Sequence, residues 1–425
     1  MSPTERIAAI RARIPQGGLF ADKEWRLSPE AFPLSEAQAE RVAKLGPLLH
    51  KFNRACNLLY RQSVKGKQPA WIADLLDRGK PPELVELSRA DAFAQKVPAV
   101  LRPDLLITET GFALCELDTV PGGIGVTAWM GETYAALGEP VLGGATGMRD
   151  GFASIFPEGD VVVSEEAASY RPEFEWLLGP DRVKAAETYR ADGRPIYRFF
   201  ECFDWEKLTS LRETWGQVTA ITPPLKPYLE EKLWLALFWM RPLLPFWRRE
   251  LSDKGVALLR ETIPYTWLVD PAPLPPHAVL PGLEIQDWSE MAKFSQSERE
   301  LVLKISGFSP LAWGSRGVHV GSDLAAGEWQ KRIGEALAEF PTHPRILQRF
   351  AKSALVDHPW IDDQGAFQTM KGRVRLCPYY FAPHEESRPV LGGAMATLVP
   401  ADKKLVHGMR DAILVPAKTA SPDSR

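Results

Sequence analysis

Arg102-Pro103-Asp104-Leu105-Leu106-Ile107-Thr108-Glu109-Thr110-Gly111-Phe112-Ala113-Leu114-Cys115-Glu116-Leu117-Asp118 is the stretch on which the reading of this chain turns. Leu105 to Ile107 form an apolar run, Thr110-Gly111 breaks it, and Phe112 to Asp118 alternate, which is the pattern of a β-hairpin. Folding the run back sets Asp104 level with the end of the second strand, where the two-residue period sends Glu116 and Asp118 to one face. Three carboxylates then converge. Crowded in a partly dry cleft, they raise one another's pKa unless a cation is bound. Oxygen-only donors suit Mg2+, which takes one or two carboxylates and leaves positions for substrate phosphates. A hairpin whose acids simply face water carries the same alternation, so other segments have to weigh in.

The 425 residues are enough for two or three packed subdomains. With 51 basic and 54 acidic residues the formal charge is -3, which argues against a nucleic-acid footprint. Cys56, Cys115, Cys202 and Cys377 lie far apart without C-x-x-C pairing, as expected of buried thiols in a reducing compartment. The polar start Met-Ser-Pro-Thr-Glu-Arg lacks the apolar core of a signal peptide, and a cytoplasmic location is expected. The most apolar stretch, Leu233 to Met240, falls well short of the roughly 20 residues that span a bilayer and reads as a buried helix.

Proline and glycine divide the rest. Residues 34 to 62 and 83 to 96 read as helices, and the acidic hairpin follows them. Val120-Pro121-Gly122-Gly123-Ile124-Gly125 is a loop running into a helical Trp129 to Leu137. Asp160 to Val163 reads as a buried strand, with Ser164 as the N-cap of a following helix, which makes residues 140 to 220 an α/β unit.

Farther on, Leu301-Val-Leu303-Lys304-Ile-Ser306-Gly307-Phe-Ser-Pro-Leu-Ala-Trp313-Gly314-Ser315-Arg316-Gly317-Val318 is a strand with one inward lysine, then a Gly/Ser loop. Small residues such as Gly314 and Gly317 let backbone N–H groups approach phosphate oxygens, and Lys304 supplies a point charge. A plain hairpin with an exposed lysine fits the same letters, and the spacing is not that of a P-loop. Arg373 and Arg375 alternate so that both face one side of a strand, which suits phosphate or substrate carboxylate as well as a solvated face. His319, His343, His358, His384 and His407 show no paired spacing and read as structural, with His407 nearest a Gly-rich strand.

The order of these motifs, R-x-D, twelve residues, E-x-[ND], then a distant lysine ahead of a Gly-rich loop, resembles the circularly permuted ATP-grasp family of the glutathionylspermidine synthase type. Other stretches agree with it: Val162 to Phe174, Leu251-Ser-Asp-Lys254-Gly with Leu258 to Pro264, Gln348 within Ile346 to Phe350, and Val390-Leu-Gly392-Gly393-Ala394. The resemblance covers roughly residues 100 to 415. It implies an α+β, circularly permuted ATP-grasp fold with an N-terminal helical segment. Residues 1–98 would be that segment, 99–139 the metal-binding half, 140–224 an α/β unit of the pre-ATP-grasp kind, and 225–425 the remainder with a nucleotide-binding lid.

Carried over residue by residue, the resemblance implies Asp104, Glu116 and Asp118 as Mg2+ ligands and Arg102 as the phosphate-binding arginine. Lys254, Lys304, Gly314, Gly317, Gln348 and Arg375 would hold ATP, with Arg102 and Lys304 serving catalysis. The family usually has asparagine at the position of Asp118, and its K-P-x-x-G-R-x-G loop is replaced here by Lys304 to Gly317. Neither departure removes a required charge. The activity implied is a carboxylate–amine ligase, in which ATP and Mg2+ activate a carboxylate that a small-molecule amine then attacks. A phosphotransferase on the same scaffold and a non-catalytic nucleotide-binding protein are the alternatives. On this reading neither Lys304 nor Glu116 is expected to hold the core.

Overall fold

The computed structural model describes residues 1–20, 23–312, 314, 316–406 and 410–420. Strands and helices mix in an α+β arrangement. Trp313, Ser315 and His407 lie outside the described residues. The chain divides into two units, each assembled from separated segments. One comprises Met1–Lys51, Gln95–Leu225 and Lys352–Arg425, and the other Phe52–Ala94 and Lys226–Ala351.

The expected hairpin forms one edge of a seven-stranded sheet in the first unit, as Val100–Thr108 and Gly111–Asp118. Gly111, at φ 147°, opens the second strand in a conformation that side chains with a Cβ rarely adopt. Next comes the long strand Phe367–Phe381, then Val390–Pro400, Ile413–Thr419 and the short Phe32–Leu34, while Val356–Ile361 pairs with the start of Phe367–Phe381. All of these pairings are antiparallel except that of Phe32–Leu34 with Ile413–Thr419.

The α/β reading of the middle of the chain corresponds to a second, parallel sheet in this unit. Its order is Val183–Ala185, Asp160–Val163, Ile196–Phe199 and Ile221–Thr222. Asp160–Val163 is buried throughout, as a strand covered on both faces should be. Ser164 caps no helix, contrary to the sequence expectation. Helical turns begin only at Ala168 and Arg171, and the Ser164 hydroxyl is buried without a hydrogen-bond partner.

In the second unit an antiparallel sheet runs Val318–Val320, Leu301–Ile305, Arg345–Arg349, Thr266–Val269. Its core gathers Trp267, Leu303, Trp329, Ile333 and Leu347. The apolar stretch forms the short helix Leu233–Trp239, buried from Leu233 to Phe238. Among the described residues no helix is long and apolar enough to cross a membrane.

Candidate functional site

The hairpin register brings the predicted acids together. Arg102 pairs with Asp118 and Asp104 with Glu116, and a bulge follows between Asp104 and Leu105. Directly opposed residues share a face, so all four side chains leave the sheet on one side. Phe367–Phe381 lies along the other edge of Val100–Thr108, with Arg375 opposite Leu106, and this extends the row by Arg375, Cys377 and Tyr379.

Arg102 is the hub of the cluster. Its Nε donates to Asp104 Oδ1 at 3.0 Å, its Nη2 meets Asp118 Oδ2 at 2.9 Å, and its Nη1 donates to the Gly122 carbonyl at 3.1 Å. Arg375 Nη1 meets Asp104 Oδ2 at 3.0 Å, and the Cys377 thiol donates to Asp104 Oδ1 at 3.4 Å. Asp118 Oδ1 accepts the Val120 N–H at 2.9 Å, which ties the hairpin to the Gly122-Gly123 loop. Tyr379 donates its hydroxyl to the Gly122 carbonyl at 2.7 Å. Gly122 has no room for a side chain, since a Cβ there would sit 2.0 Å from the Tyr170 ring.

The same surroundings push the two aspartates in opposite directions. Burial raises Asp104, but Arg102 and Arg375 outweigh it and hold the carboxyl below the usual carboxylate range. Burial also raises Asp118, Arg102 and the Val120 N–H oppose it, and nearby Glu116 and Asp104 add to the rise, so Asp118 stands above that range. Burial lifts the Cys377 thiol to about 12, with Asp104 adding to it, so the thiol stays protonated as a donor.

Among the described residues, no group of three or more His, Cys, Asp or Glu side chains gathers so as to hold a metal ion. The three-carboxylate cage expected from the sequence is not assembled, because the Arg102 guanidinium bridges Asp104 and Asp118. Mg2+ seldom uses an all-protein cage and more often takes one or two carboxylates together with substrate phosphates. Half-buried Glu116 and Asp118 fit an ion that arrives with a nucleotide; Asp104, its oxygens on Arg102, Arg375 and Cys377, fits less well.

The remaining predicted residues belong to the second unit. Lys304 lies buried on Leu301–Ile305 and donates to Gln348 Oε1 at 2.7 Å, while Gln348 Nε2 donates to Thr266 Oγ1 at 3.1 Å. Lys304 therefore does help to hold the core, which corrects the sequence expectation. Lys254 is exposed on the helix Leu244–Thr262, two residues past Ser252, whose φ of 67° interrupts that helix. Gly314 sits in an exposed turn at φ 59°, and Gly317 is buried where a Cβ would come within 2.7 Å of the Leu311 carbonyl oxygen.

Sequence reasoning missed a buried pair in this unit. Lys80 Nζ meets Glu231 Oε1 at 2.5 Å with both side chains almost wholly enclosed, and Ser306 donates its hydroxyl to the other Glu231 oxygen. The available signal was Glu230-Glu231-Lys232 standing directly ahead of an apolar helix. It also missed Glu173, whose carboxylate caps the helix Ile124–Ala135 by accepting the Gly125 and Val126 N–H groups at 3.0 and 3.3 Å.

An antiparallel sheet bearing the acid–arginine cluster, a parallel sheet, and a further antiparallel sheet with a buried lysine make up an α+β fold. A solved structure with this fold is the apo form of a glutathione synthetase-like effector from Globodera pallida. It is similar at a TM-score of 0.54 and 12% identity, over 98% of this chain and 96% of that one. A protein described provisionally as a gamma-glutamylcysteine synthetase, from Methylobacillus flagellatus, aligns at a TM-score of 0.40 and 12% identity, over 84% and 88% of the two chains, a likeness that carries no argument. No family model matches the chain, and no curated protein matches it by sequence.

Proposed function

We propose that this chain is an ATP-dependent ligase that joins a small-molecule carboxylate to an amine through an acyl phosphate, on a circularly permuted ATP-grasp scaffold. The observation that carries the reading is the gathering of Arg102, Asp104, Glu116, Asp118 and Arg375 on one sheet face. Phosphoryl transfer needs positioning and charge neutralisation more than a covalent nucleophile, and two arginines fixed by buried carboxylates provide both. The fold shared with a glutathione synthetase-like effector supports the same class of reaction.

In this reading Arg102 and Arg375 orient the oxygens of the transferring phosphoryl group, and Asp104 locks the arginines in place. Glu116 and Asp118, with Asp104 behind them, would hold Mg2+, which when bound supplies charge neutralisation at the phosphates. The carboxylate oxygen bonds to the γ-phosphorus as ADP leaves. The amine nitrogen then bonds to the acyl carbon as inorganic phosphate leaves, and the amine gives up a proton. As the resemblance implies, Lys254, Lys304, Gly314, Gly317 and Gln348 would be the nucleotide-binding residues of the second unit.

Calorimetric titration of ATP, with Mg2+ and with EDTA, into wild type and Glu116→Gln tests the reading. Saturable, Mg2+-dependent binding that the variant loses is the expected result, followed by ADP release when the right acid and amine are supplied. Absence of binding under both conditions overturns it.

A further inference from the structure

The helix Ile124–Ala135 starts without a cap of its own. Its N-cap residue is Gly123, at φ 84°, which has no side chain to accept from the first turn. The room a capping side chain would need is already taken. A Cβ on Gly123 would lie 2.6 Å from the Tyr379 hydroxyl, and one on Gly122 would meet the Tyr170 ring. The cap comes instead from Glu173, on the separate helix Arg171–Leu178, which accepts from Gly125 and Val126, the second and third helical N–H groups. Gly125 permits this approach, since a Cβ there would lie 2.7 Å from Glu173 Cβ. Glu173 is buried, and Lys23 Nζ stands 3.6 Å from its other oxygen.

Arg102 depends on this loop. All three guanidinium nitrogens are engaged, Nε on Asp104, Nη2 on Asp118 and Nη1 on the Gly122 carbonyl. The two aspartates are placed by the hairpin register. Gly122 lies beyond the hairpin, and its carbonyl is placed by what holds the loop at either end. Asp118 takes the Val120 N–H on one side, and Glu173 takes the Gly125 and Val126 N–H groups on the other. A planar guanidinium held on every nitrogen has one orientation, and release of the loop frees its third anchor.

We infer that Glu173 is a positioning residue for Arg102, acting through the start of the helix Ile124–Ala135 and the Gly122 carbonyl. The consequence for phosphoryl transfer rests on the ligase reading, whereas the hold on Arg102 does not.

Nitrogen-15 spectroscopy of arginine side chains in the full chain reads that hold directly, with the Arg102 Nε–H signal assigned by its loss in Arg102→Lys. Wild type should give a signal slow to exchange with water. Glu173→Leu, which fills the site but accepts nothing, should speed that exchange roughly tenfold, the worth of one hydrogen bond. Glu173→Gln keeps an acceptor oxygen and should keep the slow exchange. Val161→Ala, which opens a cavity in the buried strand Asp160–Val163 of the same unit, should keep it too, and so separates positioning from general loss of stability. Should Glu173→Leu not fold, Glu173→Asp, a methylene too short to reach both N–H groups, carries the same expectation. Titration of ATP with Mg2+ into the same proteins adds the functional arm, where Glu173→Leu should bind roughly tenfold more weakly than wild type and Glu173→Gln nearly as well. The inference is overturned if the Arg102 signal exchanges fast in wild type, if it is unchanged in the Glu173 variants, if Val161→Ala speeds it equally, or if wild type and Glu173→Leu bind ATP with equal affinity. Absence of ATP binding by wild type brings down the ligase reading, and the exchange rates still decide whether Glu173 positions Arg102.

Discussion

Arg102 neutralises two carboxylates at once, and its removal leaves buried charge behind. Asp104 keeps Arg375, but Asp118 loses its pairing with Arg102 and keeps the Val120 N–H, so Arg102→Met should destabilise the fold by about 3 kcal/mol in urea denaturation at neutral pH. Asp104 is held below the usual carboxylate range, so the stability it contributes is present above the unfolded value of about 3.9 and is lost as pH falls through its lower folded value. The gap between Arg102→Met and wild type should therefore narrow on acidification below about pH 4, and a gap that stayed constant would mean the arginine acts through packing alone.

Two strands carry the next predictions. On Leu301–Ile305, Lys304 and Gln348 satisfy each other in the core, so Lys304→Met should cost about 1–3 kcal/mol by leaving Gln348 Oε1 unmet. Replacing both, as Lys304→Met with Gln348→Leu, should recover much of that loss. Thr266 would remain satisfied, since its hydroxyl also donates to the Pro264 carbonyl at 2.8 Å. Chemical denaturation of the two single variants and the double variant measures the coupling, and strict additivity would contradict it. On Val356–Ile361, His358 is buried with its Nε2 3.0 Å from Ser28 Oγ, and burial depresses its pKa to about 4. The unfolded chain takes up that proton near pH 6.5 while the fold refuses it until about 4, so this contribution is present above 6.5 and lost on the way down. His358→Leu should flatten the acid limb between those values in a pH series of unfolding midpoints. Ser28, whose hydroxyl also donates to the Glu30 carbonyl, keeps a partner in that variant.

Over the whole molecule, each unit draws on segments far apart in sequence. In the second, Lys226 and Tyr228 both donate to Asn57 Oδ1 at 2.8 Å, Tyr60 stacks on Tyr228 with ring centroids 3.7 Å apart, and Lys80 pairs with Glu231. A fragment of residues 95–425 keeps the acidic hairpin and Lys304 but loses Asn57, Tyr60 and Lys80. It should lack the near-ultraviolet circular dichroism of packed aromatic residues, whereas a native-like spectrum would show that residues 1–94 are dispensable. The hairpin, its turn glycine, the facing of Asp104 with Glu116, and the strand around Lys304 were all legible in the sequence. They depend on contiguous residues, a two-residue period and a local backbone preference. The partners of those residues were not legible. Arg375 and Cys377 reach Asp104 across 271 and 273 residues of chain, and Lys80 reaches Glu231 across 151. Such pairings follow from strand order and burial, which no local pattern encodes. The sequence by itself determined which charges stand on the hairpin face. The tertiary structure decided that arginines bridge its aspartates and that Asp104 and Asp118 shift in opposite directions, because those outcomes are set by which distant strand lies alongside and how much water it excludes.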